Sequence, residues 1–269
     1  MSRVDEEAVV LILYGDVPLI SSAALRTVVA PALDGGVGLI TMWLDDATGY
    51  GRILRDSAGK VAGIVEQKDA TPDQLPIREA NSGIVAAPAS NLRQWLRAMR
   101  NDNAQGEYYL TDIIQMASDD GIDVHTVQAD AIEEVSGVND RLQLANLERW
   151  YQRREGDRLM RAGATLADPA RIDVRGQLEV GQDVFIDVNT VFEGVVSLAD
   201  GVSIGPNCTI RNTEIGEGAT INSHSVIDMA QVGADCKIGP FARLRPGAVL
   251  EDSVHVGNYV EVKNARLGV

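Results

Sequence analysis

Only two of the 269 residues are cysteine. Cys208 and Cys236 stand far apart with no C-x-x-C spacing, which argues against a zinc-ligand set or a disulfide framework and leaves them a structural role. Aromatic residues are also scarce, at 4%, so the cores must be built from small and branched aliphatics. Positive charge is in deficit: 24 Lys and Arg against 39 Asp and Glu leave a formal net charge of -15. Nonspecific binding to nucleic acid or to anionic membrane needs a basic surface and is therefore not expected. A polyanionic ligand would need a metal ion or local basic residues. No apolar run reaches the roughly 18 residues of a membrane span, and the N-terminus lacks the basic flank and long apolar stretch of a signal peptide, so a cytoplasmic location is expected.

What is present suffices for two domains, since 45% of the residues are hydrophobic. The first half alternates strand-like and helix-like segments. It opens on the run Ala8 to Leu13, which stops at Tyr14-Gly15-Asp16-Val17-Pro18 and suits a strand buried on both faces. Further strands are expected at 37–44, 53–54, 61–66, 81–86 and 123–127, with helices near 22–33, 89–99 and 110–117. That interleaving implies an α/β layer with a mainly parallel sheet. From Asn139 to Ala162 the pattern becomes one amphipathic helix carrying Leu142, Leu144, Leu147, Trp150, Tyr151 and Leu159, ended by Gly163 and Asp168-Pro169.

After Pro169 an apolar residue recurs every six positions from Val174 through Ile210, slips to a spacing of five at Ile215 and at Val232, and continues to Val262. Two residues before these positions the side chain is usually small or β-branched, as at Val184, Val202, Cys208, Ala219, Cys236, Ala248 and Val260. Glycine often follows the aliphatic position, as at Gly181, Gly205, Gly216 and Gly233, where a turn would ask for unusual backbone angles. A hexapeptide period is the mark of a parallel β-helix, here of about five three-sided coils. The expected layout is thus an α/β domain over 1–139, a linker helix over 140–163 and a β-helix over 164–269.

Several motifs, in order, carry a family resemblance: Leu13-Tyr14-Gly15-Asp16-Val17-Pro18-Leu19, Thr48-Gly49-Tyr50-Gly51-Arg52, Ile64-Val65-Glu66 with Lys68-Asp69-Ala70, and Asn81-Ser82-Gly83-Ile84. They continue in Asn103-Ala104-Gln105-Gly106-Glu107-Tyr108-Tyr109, Gly137-Val138-Asn139 and Gly239-Pro240-Phe241-Ala242-Arg243-Leu244-Arg245-Pro246. With this set the chain resembles the bacterial bifunctional N-acetylglucosamine-1-phosphate uridylyltransferases and glucosamine-1-phosphate acetyltransferases. The resemblance implies a Rossmann-like nucleotidyltransferase domain, here incomplete, joined to a left-handed β-helix. It also implies truncation at both ends: the family's opening glycine-rich nucleotide segment is not found, and the coils with the acetyl-transfer histidine would follow Val269. The isolated chain is accordingly expected to be inactive, and His125, His224 and His255 are given no chemistry.

Asp16 follows the end of a strand, where open α/β sheets place ligand-binding groups, and a carboxylate there can hold Mg²⁺. The lesser reading of the residues alone is that it caps the turn before Pro18. The resemblance assigns Asp16 and the amide oxygen of Asn139 to the metal, Tyr14 and Gly15 to the nucleotide, and Gly51, Glu66 and Asn81 to the sugar, although Gly51 also reads as a plain turn glycine. Arg245 and Lys263 follow aliphatic positions where smaller residues are common, and two cations there could clamp a phosphate or be solvated surface charge. By resemblance they bind glucosamine 1-phosphate. The implied partners are UTP, N-acetylglucosamine 1-phosphate, glucosamine 1-phosphate, acetyl-CoA and two further copies of the chain in a homotrimer. A nucleotidyltransferase for another sugar 1-phosphate and a noncatalytic, oligomerising β-helix fragment are the alternatives.

Overall fold

The computed structural model describes residues 4–268, so the outer bounds of the expected layout, 1 and 269, fall outside it. The chain divides into two compact units, 1–144 and 145–269.

In the first unit the elements run β1 (Val9–Ile12), α1 (Ser22–Leu33), β2 (Val37–Trp43), β3 (Arg52–Arg55), β4 (Val61–Val65), β5 (Glu79–Pro88), α2 (Ala89–Ala98), α3 (Asp112–Asp119) and β6 (Val124–Gln128). Ser21 caps α1 by accepting from the Ala24 amide at 3.1 Å. The six strands form one sheet in the order β4-β3-β5-β2-β6, with β1 also on β5. Helices cover both faces. Leu39, Ile53, Leu92, Trp95 and Ile113 pack on one side, and Val28, Ile40, Met42 and Ile84 on the other.

Two expectations need correcting. The sheet is mixed rather than mainly parallel, for β2–β6 is its one parallel pair, while β5 runs antiparallel to β1, β2 and β3, and β3 to β4. A parallel crossover needs a dozen or more residues. Between Arg55 and Val61 there is room only for a hairpin, closed by Asp56 Oδ1 accepting from the Ala58 and Lys60 amides at 2.9 and 2.8 Å. The second correction is that β1 is half-buried along its whole length rather than buried on both faces. It has a single neighbour, β5, and an apolar run does not say how many strands flank it.

The second unit opens within α4 (Arg141–Ala162) and continues through β7 (Ala164–Leu166), β8 (Ile172–Val180), β9 (Val184–Ile186), β10 (Thr190–Leu198) and a series of two- to seven-residue strands. All are parallel to their partners in the next coil. Phe185 pairs with Ser203 and Ser203 with Thr220, so successive coils repeat after 18 or 17 residues. This is the expected β-helix, with three flat faces around a prism of aliphatics. One face carries six rungs, beginning with β7, one more than the hexapeptide count because β7 precedes Pro169.

The slips in the repeat lie at corners, as the change of register between Glu193 and Val196 shows. Asn212 and Met229, three residues before Ile215 and Val232, have φ of 46° and 49°. At the ordinary corners the left-handed residue also stands three before the aliphatic, as at Asn189, Asn207, Asp235 and Tyr259. Of the glycines after the aliphatic positions, Gly239 does take a left-handed angle, φ 81°, while others answer a different need from the one expected. Gly205 and Gly216 are not left-handed, but a Cβ on them would stand 3.0 Å from the Ser223 amide nitrogen and 2.7 Å from that of Ala234 in the next coil. Close stacking of coils, not backbone angle, selects glycine there.

The inward column is buried as expected, except that Val260 is 41% exposed, since no later coil covers it among the described residues. Cys208 and Cys236 lie inside the prism. Burial pushes the Cys208 thiol up from its ordinary value near 9 to about 11. The unfolded thiol therefore ionises first, and this residue's contribution to stability is complete below pH 9 and fades as pH rises toward 11. Urea midpoints of the wild type and Cys208→Ala, measured at pH 8 and pH 10.5, should converge at the higher pH; parallel loss in both would remove the assignment.

One edge of the prism is covered by α4. The β8 strand pairs with β10 alone, and the buried Gln152 side chain acts as its missing neighbour, donating from Nε2 to Val174 O at 2.9 Å and accepting from Val174 N at 2.8 Å. Arg158 Nη2 donates to Leu178 O at 2.8 Å. The packed stripe of α4 is therefore Leu147, Gln152, Gly156 and Leu159, whereas Leu142 and Leu144 are exposed. Outside the prism an ion-pair ladder climbs the coils through Asp173, Arg175, Glu193, Arg211 and Asp228.

Candidate functional site

Three of the residues expected to meet a sugar converge in the first unit. Gly51 precedes β3, Glu66 follows β4 and Asn81 lies in β5. The Asn81 amide donates to Gly51 O at 2.9 Å, and a Cβ on Gly51 would stand 3.3 Å from Glu66 Oε1 and 2.8 Å from Ile64 Cγ2. Any side chain at 51 would fill the space in front of the carboxylate. The Asn81 carboxamide accepts from the Gly83 amide at 2.8 Å. Gly83, with φ of +82°, lies beneath the Tyr14 ring so closely that a Cβ there would stand 1.8 Å from Tyr14 Cε2. Tyr14, Asn81, Gly83, Leu110 and Thr111 line one shallow cleft.

Thr111 is a member of this group that sequence reasoning missed. Its hydroxyl donates to Glu66 Oε1 at 2.9 Å, fixing the carboxylate's rotamer. The only available signal was its place two residues after the Glu107-Tyr108-Tyr109 motif. Beside it, burial first, and then the charges of Glu66 and Asp69, raise the Asp112 carboxyl. The loop around Asn103 is tied to the same region, Ala104 N donating to Asp69 Oδ1 at 2.8 Å and Lys68 Nζ to Gln105 Oε1 at 2.6 Å.

Asp16 lies against the Gly137-Val138 segment that leads into Asn139. Val17 N donates to Tyr14 O at 3.3 Å, turning the chain after β1, and Val138 N donates to Asp16 O at 2.9 Å. A Cβ on Gly137 would stand 3.2 Å from Asp16 Oδ2, so the glycine leaves the carboxylate face open. Gly15 is exposed, with nothing near its would-be Cβ. Among the described residues neither the Asp16 carboxylate nor the Asn139 carboxamide has a hydrogen-bond partner of its own, and no group of three or more His, Cys, Asp or Glu could hold a metal. One carboxylate and one amide oxygen at an open turn are the hard-oxygen donors that a largely hydrated magnesium ion takes, so the residues fit that group.

Arg245 and Lys263 belong to the second unit. The register Leu244 to Val262 and the bond from Arg245 N to Val262 O, 2.8 Å, set them on adjacent coils. Glu261, not anticipated, accepts from Arg245 Nη1 at 3.0 Å. Lys263 is exposed.

Residues 174–267 match the family model described as the GMPPB C-terminal domain. The chain is 58% identical over 264 residues to the bifunctional protein GlmU of Paraburkholderia xenovorans, covering 98% of this chain and 58% of that protein. It is likewise 58% identical over 258 residues to the bifunctional protein GlmU of Burkholderia thailandensis, covering 96% of this chain and 57% of that one. A solved structure of PerB from Caulobacter crescentus, in complex with CoA and GDP-perosamine, is 19% identical over 58% of this chain and 85% of its own, with a TM-score of 0.37; that likeness carries no argument. Over nearly its whole length, then, this chain is homologous to the bifunctional GlmU proteins, and it spans somewhat more than half of theirs.

Proposed function

We propose that the chain is part of an enzyme that makes UDP-N-acetylglucosamine. The observation that carries this reading is the mutual proximity of Gly51, Glu66 and Asn81, the last of which lines the cleft. A carboxylate, an amide and a backbone position without a side chain are the groups that bind sugar hydroxyls. In the proposed reaction a phosphate oxygen of N-acetylglucosamine 1-phosphate attacks the α-phosphorus of UTP, and pyrophosphate leaves. No protein nucleophile is required; the protein positions the two phosphates and neutralises charge. Tyr14 and Gly15 flank the nucleotide. Asp16 and Asn139 would hold Mg²⁺, which supplies that neutralisation in a chain of net charge -15.

In the second unit Arg245 and Lys263 take the phosphate of glucosamine 1-phosphate, the acceptor for an acetyl group from acetyl-CoA, and the β-helix assembles as a homotrimer. The dependence on UTP and acetyl-CoA goes with a cytoplasmic location. The layout in this reading is a uridylyltransferase portion over 1–139, a linker helix over 140–163 and an acetyltransferase portion over 164–269.

Calorimetric titration of the chain with N-acetylglucosamine 1-phosphate tests the reading. Glu66→Gln should weaken binding by about tenfold, through loss of a charge-assisted hydrogen bond. Asp16→Ala should leave that affinity alone and remove the Mg²⁺ dependence of UTP binding. Equal affinity for other sugar 1-phosphates would shift the assignment to another nucleotidyltransferase, and no binding by the folded chain would sink it.

A further inference from the structure

Among the described residues Arg52 is the only buried lysine or arginine, at 2% exposure. It makes no ion pair there, its Nε has no hydrogen-bond partner, and its one bond runs from Nη1 to the carbonyl of Tyr50. A charge so poorly compensated costs stability. Its field reaches the neighbouring turn, where Asp46 is held below the ordinary carboxylate value, first by its hydrogen bonds with Thr48 and then by Arg52.

The carbonyl that Arg52 grips belongs to the same planar trans peptide as the Gly51 amide, and in such a peptide C=O and N–H point opposite ways. Side chains alternate across the strand, so Arg52 lies on the face away from the space between Gly51 and Glu66. Drawing Tyr50 O toward Arg52 therefore turns the Gly51 N–H toward Glu66. Gly51 is itself buried, and its amide meets no acceptor among the described residues, although its carbonyl is bound by Asn81. That orientation would set a free donor beside a fixed acceptor, the pattern that grips adjacent oxygens of a sugar ring.

We propose that Arg52 is a positioning residue: by holding the Tyr50–Gly51 peptide in one orientation, it presents the Gly51 N–H to the sugar of a sugar 1-phosphate. This rests on the functional reading above for the identity of the ligand, but the peptide geometry stands apart from it.

Two measurements on the intact chain separate them. Residual dipolar couplings give the direction of the Gly51 N–H bond relative to those of Ile53 and Ala80 without any ligand. Titration with N-acetylglucosamine 1-phosphate, and separately with UTP, gives the affinities. Arg52→Met, which cannot donate, should reorient the Gly51 bond and weaken sugar phosphate binding by about tenfold, leaving UTP affinity within about twofold. Arg52→Gln, which keeps a neutral donor, should restore most of both; a purely structural loss would not be recovered this way and would not spare UTP.

Unchanged Gly51 orientation and sugar affinity in folded Arg52→Met overturns the proposal, as does a glutamine variant no better than methionine. If Arg52→Met does not fold, the wild type decides, because a Gly51 N–H directed to Arg52's side of the sheet also overturns it. A wild-type chain that binds no sugar phosphate, yet whose Gly51 bond responds to the variants as described, refutes the functional reading and leaves the peptide geometry in place.

Discussion

Gln152→Leu should destabilise the β-helix unit by about 2–6 kcal/mol, from two buried backbone groups each left unpaired at roughly 1–3 kcal/mol. Leucine preserves volume and helix propensity, so the loss reports chiefly the buried hydrogen bonds to Val174 N and O, with a smaller part from the half-buried one that Nε2 donates to Glu148 Oε1 at 2.9 Å. Those two groups lie on the edge of β8, where no further strand can satisfy them. Gln152→Glu makes the complementary test. A carboxylate still accepts from Val174 N but faces the Val174 carbonyl without a proton, so this variant should be the less stable at neutral pH and recover as the pH falls and the carboxyl becomes a donor. Urea unfolding followed through Trp150, which lies on the same helix, reports the release of α4. A Gln152→Leu midpoint shift worth less than about 1 kcal/mol would show that α4 merely rests on the prism.

Gly38→Ala should cost about 3 kcal/mol or more, at the upper end of overpacking. Its Cβ would stand 1.8 Å from Val28 O and 2.8 Å from Val28 C, both backbone atoms of α1. No rotamer can relieve that, so the helix must back away from β2 and open the core around Val28 and Ile40, both of them fully buried. Two other glycines calibrate the result. Gly35→Ala meets nothing within 4 Å but sits at φ +88°, which costs about 1–2 kcal/mol of backbone strain alone. Gly15→Ala meets neither obstacle and should change stability little. The ranking 38, 35, 15 follows if close approach of helix to sheet is what glycine serves at 38; equal losses at 38 and 35 would assign both to backbone angle.

The β-helix was legible because its physics is periodic. Two residues in every six fill the prism, and the aliphatic one of each pair, from Val174 through Val262, states that almost without interruption. The corners were not legible in the same way: asparagine, aspartate, histidine and tyrosine all occupy the left-handed site, and no composition rule joins them. In the first unit the places of strands and helices followed from apolar runs. Strand direction did not, since nothing in Ile53–Leu54 or Val61–Glu66 distinguishes a hairpin arm from a crossover strand except the length between them. Gly51, Glu66 and Asn81 could be named together only through the ordered motifs of a family, because a sheet neighbour 30 residues away leaves no local trace. Thr111 and Arg52 escaped for a related reason. Each acts through a hydrogen bond to another residue, and a threonine or an arginine in sequence does not say what it holds.

The placement of the five-residue steps at corners constrains how such a chain can change in length. Along a flat face every second side chain enters the prism, so removing one residue there would carry Arg211 or Glu193 into the aliphatic interior and turn Ile210 or Phe192 out. At Asn212 and Met229 the same loss is absorbed by a tighter bend, and the faces beyond keep their sense. Single-residue edits can therefore survive at the vertices of the triangle, while larger ones must arrive as whole turns of the spiral.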